Sequence, residues 1–314
     1  MLPKGMLPTY AKRFGLLRNP EVTKEIARLD ARRDCQRIVH LLAAYEFPWD
    51  FQRALELALF YTYGSDTVAK LLDRTGEFHE HGQKRYDDTR LLMTHIIDSG
   101  WDGEIGRRAL ARMNKSHGHY RIANDDFLFV LWTFIEFPIR WSRAYAHRAM
   151  TPHEELAWFH FWAGVGERMG LLGIPATKEA FDRFVRDYET MHFVPNEASR
   201  RVAASTVHIL EGWFPEPLRS PVAPVVYSLF DDDPRFLAAI GVGAPPRYVR
   251  PLVGAALKTL ARAKRDLALG AYPYLPDSPT NRTYGGKPYR VEDLRPDGLA
   301  VKEASPPAPD DRRV

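Results

Sequence analysis

Three observations predict an all-α protein. Apolar residues recur at the i, i+3, i+4, i+7 spacing of an amphipathic helix through most of the chain. No segment alternates apolar and polar residues at period two, and no Asn-Gly or Asp-Gly turn lies between such runs. Helix punctuation is frequent, and clearest at Thr151-Pro152-His153-Glu154. That run offers an N-cap, a proline at the first helical position and a glutamate placed for a capping box.

Taken in order, Met1 to Asn19 reads as an extended basic arm broken by Pro3 and Pro8. Asn19-Pro20 opens a helix whose apolar positions, Ile26, Leu29, Ile38, Leu41 and Leu42, run on to Phe47-Pro48. Asp50 is placed to cap the next helix, which is apolar nearly all round from Leu55 to Phe60, as a central helix would be. Ser65 or Asp66 caps a short helix to Leu72, and Thr75-Gly76 marks a turn. Further helices are predicted over 78–98 and 103–117. Another runs over 127–137, where Pro138 interrupts it before an aromatic, basic helix. The chain then continues through helices at 154–169, 177–192, 196–213, 221–230, 233–240 and 247–269. No repeat of fixed length is present. The organisation is one multi-helix domain, 20–272, between the arm at 1–19 and a segment at 273–314. That last segment is rich in Pro, Asp, Gly and Arg and predicts a disordered or loosely docked tail.

The 314 residues suffice for a sizeable core, and 45% hydrophobic with 27% charged residues is ordinary for a globular chain. Net charge is +4, but the Arg32-Arg33, Arg107-Arg108 and Arg200-Arg201 pairs are dispersed among acids, which argues against a nucleic-acid partner. A single cysteine, Cys35, excludes an intrachain disulfide and a multi-cysteine metal site. No apolar run reaches the ~20 residues needed to span a bilayer, and no signal-peptide core is present, so a cytoplasmic protein is expected.

Two helical faces combine apolar and functional groups. Arg85, Thr89, Leu92, Met93 and Ile96 share one face of the 78–98 helix. Ile105, Ala109, Met113 and His117 step along the next at i, i+4. Burying a guanidinium without a partner is costly, so the two faces suggest a lined pocket. His117 is either an ordinary histidine near a helix C-terminus, where positive charge is favoured, or an inward metal ligand. A lone inward imidazole suits haem iron better than zinc, which takes three or four protein ligands. Arg85 is either paired with Asp88 on a solvated surface or aimed inward with Thr89 one turn along. A di-iron site would use Glu189 and His192, one Glu-x-x-His copy, but no second copy occurs. Trp158, Phe161 and Trp162 read as core.

Several ordered motifs together resemble the MpaB-type oxygenases, which share a catalytic domain with the bacterial latex-clearing proteins, the rubber oxygenases. They are Glu46-Phe47-Pro48-Trp49, Thr75-Gly76-Glu77-Phe78, Lys84-Arg85-Tyr86-Asp87-Asp88-Thr89, Met113-Asn114-Lys115-Ser116-His117-Gly118-His119-Tyr120, Ile122-Ala123-Asn124-Asp125-Asp126-Phe127 and Pro138-Ile139-Arg140-Trp141. The resemblance covers about residues 20–215. It implies a globin-like helical core around haem b, and oxygenase chemistry in which dioxygen cleaves a C=C bond of an apolar, isoprenoid substrate. It implies His117 as the iron ligand, with His119 the competing candidate, and Arg85, Asp88 and Thr89 as the catalytic group, Arg85 and Thr89 also contacting the cofactor. Latex-clearing proteins carry a Lys before the Thr, where this chain has Asp88. A non-haem di-iron enzyme and a helical haem- or ligand-binding protein without turnover are the alternatives.

Overall fold

A computed structural model describes residues 21–230, 232–266, 282–285 and 287–299; the arm at 1–19 lies outside them. The described residues form helices joined by turns, with no strand among them. In order these are α1 (Glu21–Arg28), α2 (Cys35–Leu41), α3 (Pro48–Tyr61), α4 (Asp66–Thr75), α5 (Glu77–Glu80), α6 (Gly82–Ser99) and α7 (Glu104–His117). After them come α8 (Asn124–Ala144), α9 (Pro152–Arg168), α10 (Lys178–His192), α11 (Glu197–Glu211), α12 (Val222–Ser228), α13 (Pro234–Ala239) and α14 (Val249–Asp266). The all-α reading holds.

Helix α8 runs through the core. It packs along α3 and against α9, and most of its residues from Leu128 to Ser142 are buried. Its aromatic side chains join a cluster in which Tyr61 meets Phe129, Phe137, Phe193 and Phe236 at ring separations of 4.8–6.1 Å. Offset and edge-on ring pairs of this kind stabilise beyond the area they bury.

Four local expectations are corrected. Pro138 does not break α8, which continues to Ala144. A proline removes the N–H that would bond the carbonyl four residues back, here that of Phe134, and the indole N–H of Trp158 donates to that carbonyl instead at 3.0 Å. The helix expected from Pro20 to Phe47 is split between Arg28 and Cys35. The Asp30 carboxylate accepts the backbone N–H groups of Arg32 and Arg33, and Asp34 accepts that of Asp30; such side-chain bonds compete with the helical ladder. Beyond Leu41 the chain widens into a π-helical turn, Leu42–Glu46, closed by Phe47 N–H on Leu42 O at 2.8 Å. Asp50 is not a cap: α3 starts one residue after Phe47 with Pro48, and the buried Asp50 carboxylate accepts the Trp141 indole N–H at 2.9 Å. The predicted capping box at Thr151 and Glu154 is present.

The fourth correction concerns the C-terminal segment. Residues 282–285 and 287–299 are not loosely held but pack onto α6 and α7, with Leu294 and Leu299 buried. The backbone N–H and hydroxyl of Thr283 donate to Asp87 at 2.8 and 2.6 Å, and the Tyr289 hydroxyl meets His95 Nε2 at 2.9 Å. Arg108 and Glu292 form a two-bonded ion pair at 2.7 and 2.8 Å. Buried carboxylates on α6 supply the anchoring that the segment's composition does not reveal. Residues 273–281 and 300–314 of that tail lie outside the described residues.

Candidate functional site

Helices α3 to α9, together with α11, α12 and α14, line a cavity of about 730 Å³, within the size range of small-molecule and cofactor sites. Its walls are mainly carbon, among them Leu92, Met93, Met113, Phe127, Val130 and Val165. Arg85, Asp88, Thr89 and His117 all line it. The break at His81 between α5 and α6 sets the start of the helix that carries Arg85, and Gly118 follows the last residue of α7, which is His117.

His117 stands against Phe127, ring centroids 5.3 Å apart and inclined at 60°. Its Nδ1 is shielded from solvent and, among the described residues, has no hydrogen-bond partner. Burial, with a smaller contribution from the Arg85 cation, pushes the imidazole down to about 4, so it is neutral at physiological pH. His119 is exposed and spends Nδ1 on the carbonyl of Lys115 at 2.7 Å; it does not line the cavity.

The Arg85 guanidinium donates to the Thr89 hydroxyl, which in turn donates to the Arg85 carbonyl at 2.9 Å. The guanidinium carbon lies 5.9 Å from the Phe78 ring centroid. Asp88 makes no hydrogen bond to Arg85. Its carboxylate takes Lys84 Nζ at 2.7 Å and the Tyr284 hydroxyl at 2.5 Å, and burial raises its pKa. Asp88 therefore ties α6 to the C-terminal segment, while Arg85 and Thr89 hold each other. Helix geometry accounts for this, because Thr89 lies one turn beyond Arg85 and Asp88 is rotated toward Lys84.

Several cavity residues escaped the sequence reading. Glu56 on α3 accepts Arg53 Nη2 at 2.6 Å and the Tyr86 hydroxyl, and burial raises its pKa. The available signal was an acid inside an otherwise apolar run, three residues from an arginine. Asp126 accepts the hydroxyls of Thr67 at 2.7 Å and Tyr188 at 2.5 Å. Leu294, Arg295 and Pro296 of the C-terminal segment also line the cavity, and no local pattern connects them to it. Of the residues read as core, Trp158 and Phe161 stay in the core and Trp162 reaches the cavity wall.

The di-iron residues are engaged elsewhere. Glu189 accepts the Tyr61 hydroxyl at 2.8 Å and His192 Nδ1 lies 3.0 Å from Asp66. Among the described residues, no three His, Cys, Asp or Glu side chains converge as metal ligands.

A helical domain with one large apolar cavity, a neutral imidazole and a guanidinium in its wall defines the class. The family model of the "ER-bound oxygenase mpaB/B'/Rubber oxygenase, catalytic domain" matches residues 48–272, and the chain belongs to that family. Among its relatives is the ER-bound oxygenase mpaB of Penicillium roqueforti (strain FM164), 29% identical over 186 residues, which cover 54% of this chain and 62% of that protein. The ER-bound oxygenases mpaB' and mpaB of Penicillium brevicompactum are each 29% identical over 187 residues, covering 54% of this chain and 44% and 48% of theirs. The chain thus spans roughly half of the curated relatives it matches. Those relatives are named ER-bound; among the described residues here, no helix is long and apolar enough to cross a membrane.

Proposed function

We propose that this chain is a haem b-dependent oxygenase acting with dioxygen on an apolar, isoprenoid-like substrate by oxidative C=C cleavage. The observation that carries the reading is the unpartnered, neutral imidazole of His117 in the wall of an apolar cavity about 730 Å³ in volume. A neutral imidazole in the wall of such a cavity offers a ring nitrogen suited to iron. The donor set fits the cofactor: a neutral nitrogen for iron, carbon walls for the macrocycle and the Arg85 cation for a carboxylate. Haem, when bound, would supply dioxygen activation.

The chain's own residues do the rest. Arg85, fixed by Thr89, presents positive charge to the cavity and favours whatever negative charge is bound or develops there. The apolar walls hold a hydrocarbon and exclude water. Asp88, fastened to Lys84 and Tyr284, keeps the C-terminal segment against α6, so Leu294 and Pro296 close part of the wall.

The test is the absorption spectrum of purified protein, oxidised and dithionite-reduced, beside His117→Ala. A red protein whose Soret band shifts on reduction and is lost in a folded His117→Ala variant supports the reading. Colourless protein made with adequate haem overturns it. Retention of haem and Soret band by His117→Ala removes His117 as the ligand. Oxygen uptake with prenyl substrates then separates an oxygenase from a binding protein without turnover.

A further inference from the structure

Beside the main cavity lies a second one of about 60 Å³, between the Leu42–Glu46 turn, α3, α6 and α8. Glu56, Leu59, Tyr86, Thr89, Met93 and Phe134 line both, so the two are one side chain apart. The far wall includes Ala44, Leu55 and Ile97, none of which borders the main cavity.

Polar side chains border this space, Gln52, Glu56 and Asp98 among them, yet the surface it presents is almost all carbon. The guanidinium nitrogens of Arg90 and both ring nitrogens of His40 are shielded from any probe of water size. The Thr94 hydroxyl donates to the Arg90 carbonyl at 2.8 Å, and the Thr89 hydroxyl is committed to Arg85. The Tyr86 hydroxyl is committed to Glu56. A buried water needs two to four polar partners, and apolar cavities without them stay dry and take up xenon or small hydrocarbons. A water-sized guest needs only ~10–15 Å³ of such space, so a few diatomic molecules fit and a prenyl chain does not.

We propose that this cavity is a docking site for a small apolar gas, dioxygen in the working enzyme, held one side chain from the reaction cavity. Met93 stands between the two spaces, and its unbranched, flexible side chain is suited to letting a diatomic molecule pass. The identity of the gas rests on the oxygenase reading; the existence of the site does not.

The test has two independent arms. Crystals of the full chain pressurised with xenon should show xenon between Ala44, Ile97 and Met93, and Ala44→Leu and Ile97→Phe should each abolish it. In oxygen-uptake assays the same variants should raise KM for dioxygen several-fold while leaving kcat at saturating oxygen unchanged. Circular dichroism identifies which variant keeps its fold. Absence of xenon from the wild-type cavity overturns the site. Xenon lost with KM for dioxygen unchanged overturns the dioxygen role. If no oxygen is consumed with any substrate, the oxygenase reading fails with that role, and the xenon arm still decides the cavity.

Discussion

Trp158→Phe should destabilise the protein through Pro138. In the native chain the Phe134 carbonyl has no N–H available at residue 138 and accepts the Trp158 indole at 3.0 Å. Phe134 and Trp158 are buried, Trp158 completely. Replacing the indole by phenyl leaves that carbonyl unpaired, which costs about 1–3 kcal/mol. The smaller ring also leaves a void beside Phe51, whose centroid is 4.4 Å away, adding about 1 kcal/mol. A total near 3 kcal/mol, with a urea m-value of roughly 3 kcal/mol/M for a chain of this size, lowers the unfolding midpoint by about 1 M. The diagnostic measurement is a double-mutant cycle with Pro138→Ala, which restores a backbone N–H four residues after Phe134. Trp158→Phe should then cost about 1–2 kcal/mol less in the Pro138→Ala background than in the native one. Equal costs in both backgrounds would refute the account of how α8 tolerates its proline.

Three further outcomes are expected. Gly64→Ala would place a methyl 2.8 Å from the Phe193 ring and 2.9 Å from Phe236; a loss of about 1–3 kcal/mol should appear in urea unfolding. Burial pushes His95 down to about 4 from 6.5, so between those values the unfolded chain binds more protons. Its contribution to stability is complete above pH 6.5 and is lost as pH falls toward 4. About 2 kcal/mol should go between pH 7.5 and 5, and His95→Gln should flatten that part of the profile. Leu294→Ala removes a fully buried side chain and should cost about 2–4 kcal/mol, with faster proteolysis within 282–299 as the local readout.

What was legible in the sequence follows from how far each signal reaches. Periodicity located α7, α9, α10 and α11 to within about two residues, because burial of one face is a local constraint, but it ran α5 and α6 together across the break at His81. Pro138 misled because its compensation comes from Trp158 on another helix. Asp30 and Asp34 broke the first helix by turn chemistry that the apolar spacing of Ile26, Leu29 and Ile38 overrode in the reading. Arg85, Thr89 and His117 could be placed toward a cavity because each continued an apolar face. Asp88 was grouped with Arg85 and Thr89, and its tie to the C-terminal segment could not be read, since its partner Tyr284 is 196 residues distant in sequence. The Asp126 carboxylate and the C-terminal wall were hidden for the same reason.

The matched domain ends at residue 272, yet Leu294, Arg295 and Pro296 line its cavity. Part of the chamber is therefore built by an appendage rather than by the shared scaffold. That panel is anchored through Lys84, Asp87 and Asp88 rather than through His117 or Arg85. Chains with the same motif could thereby present differently shaped chambers, and grafting alternative sequences onto 282–299 is a direct route to altering what the chamber admits.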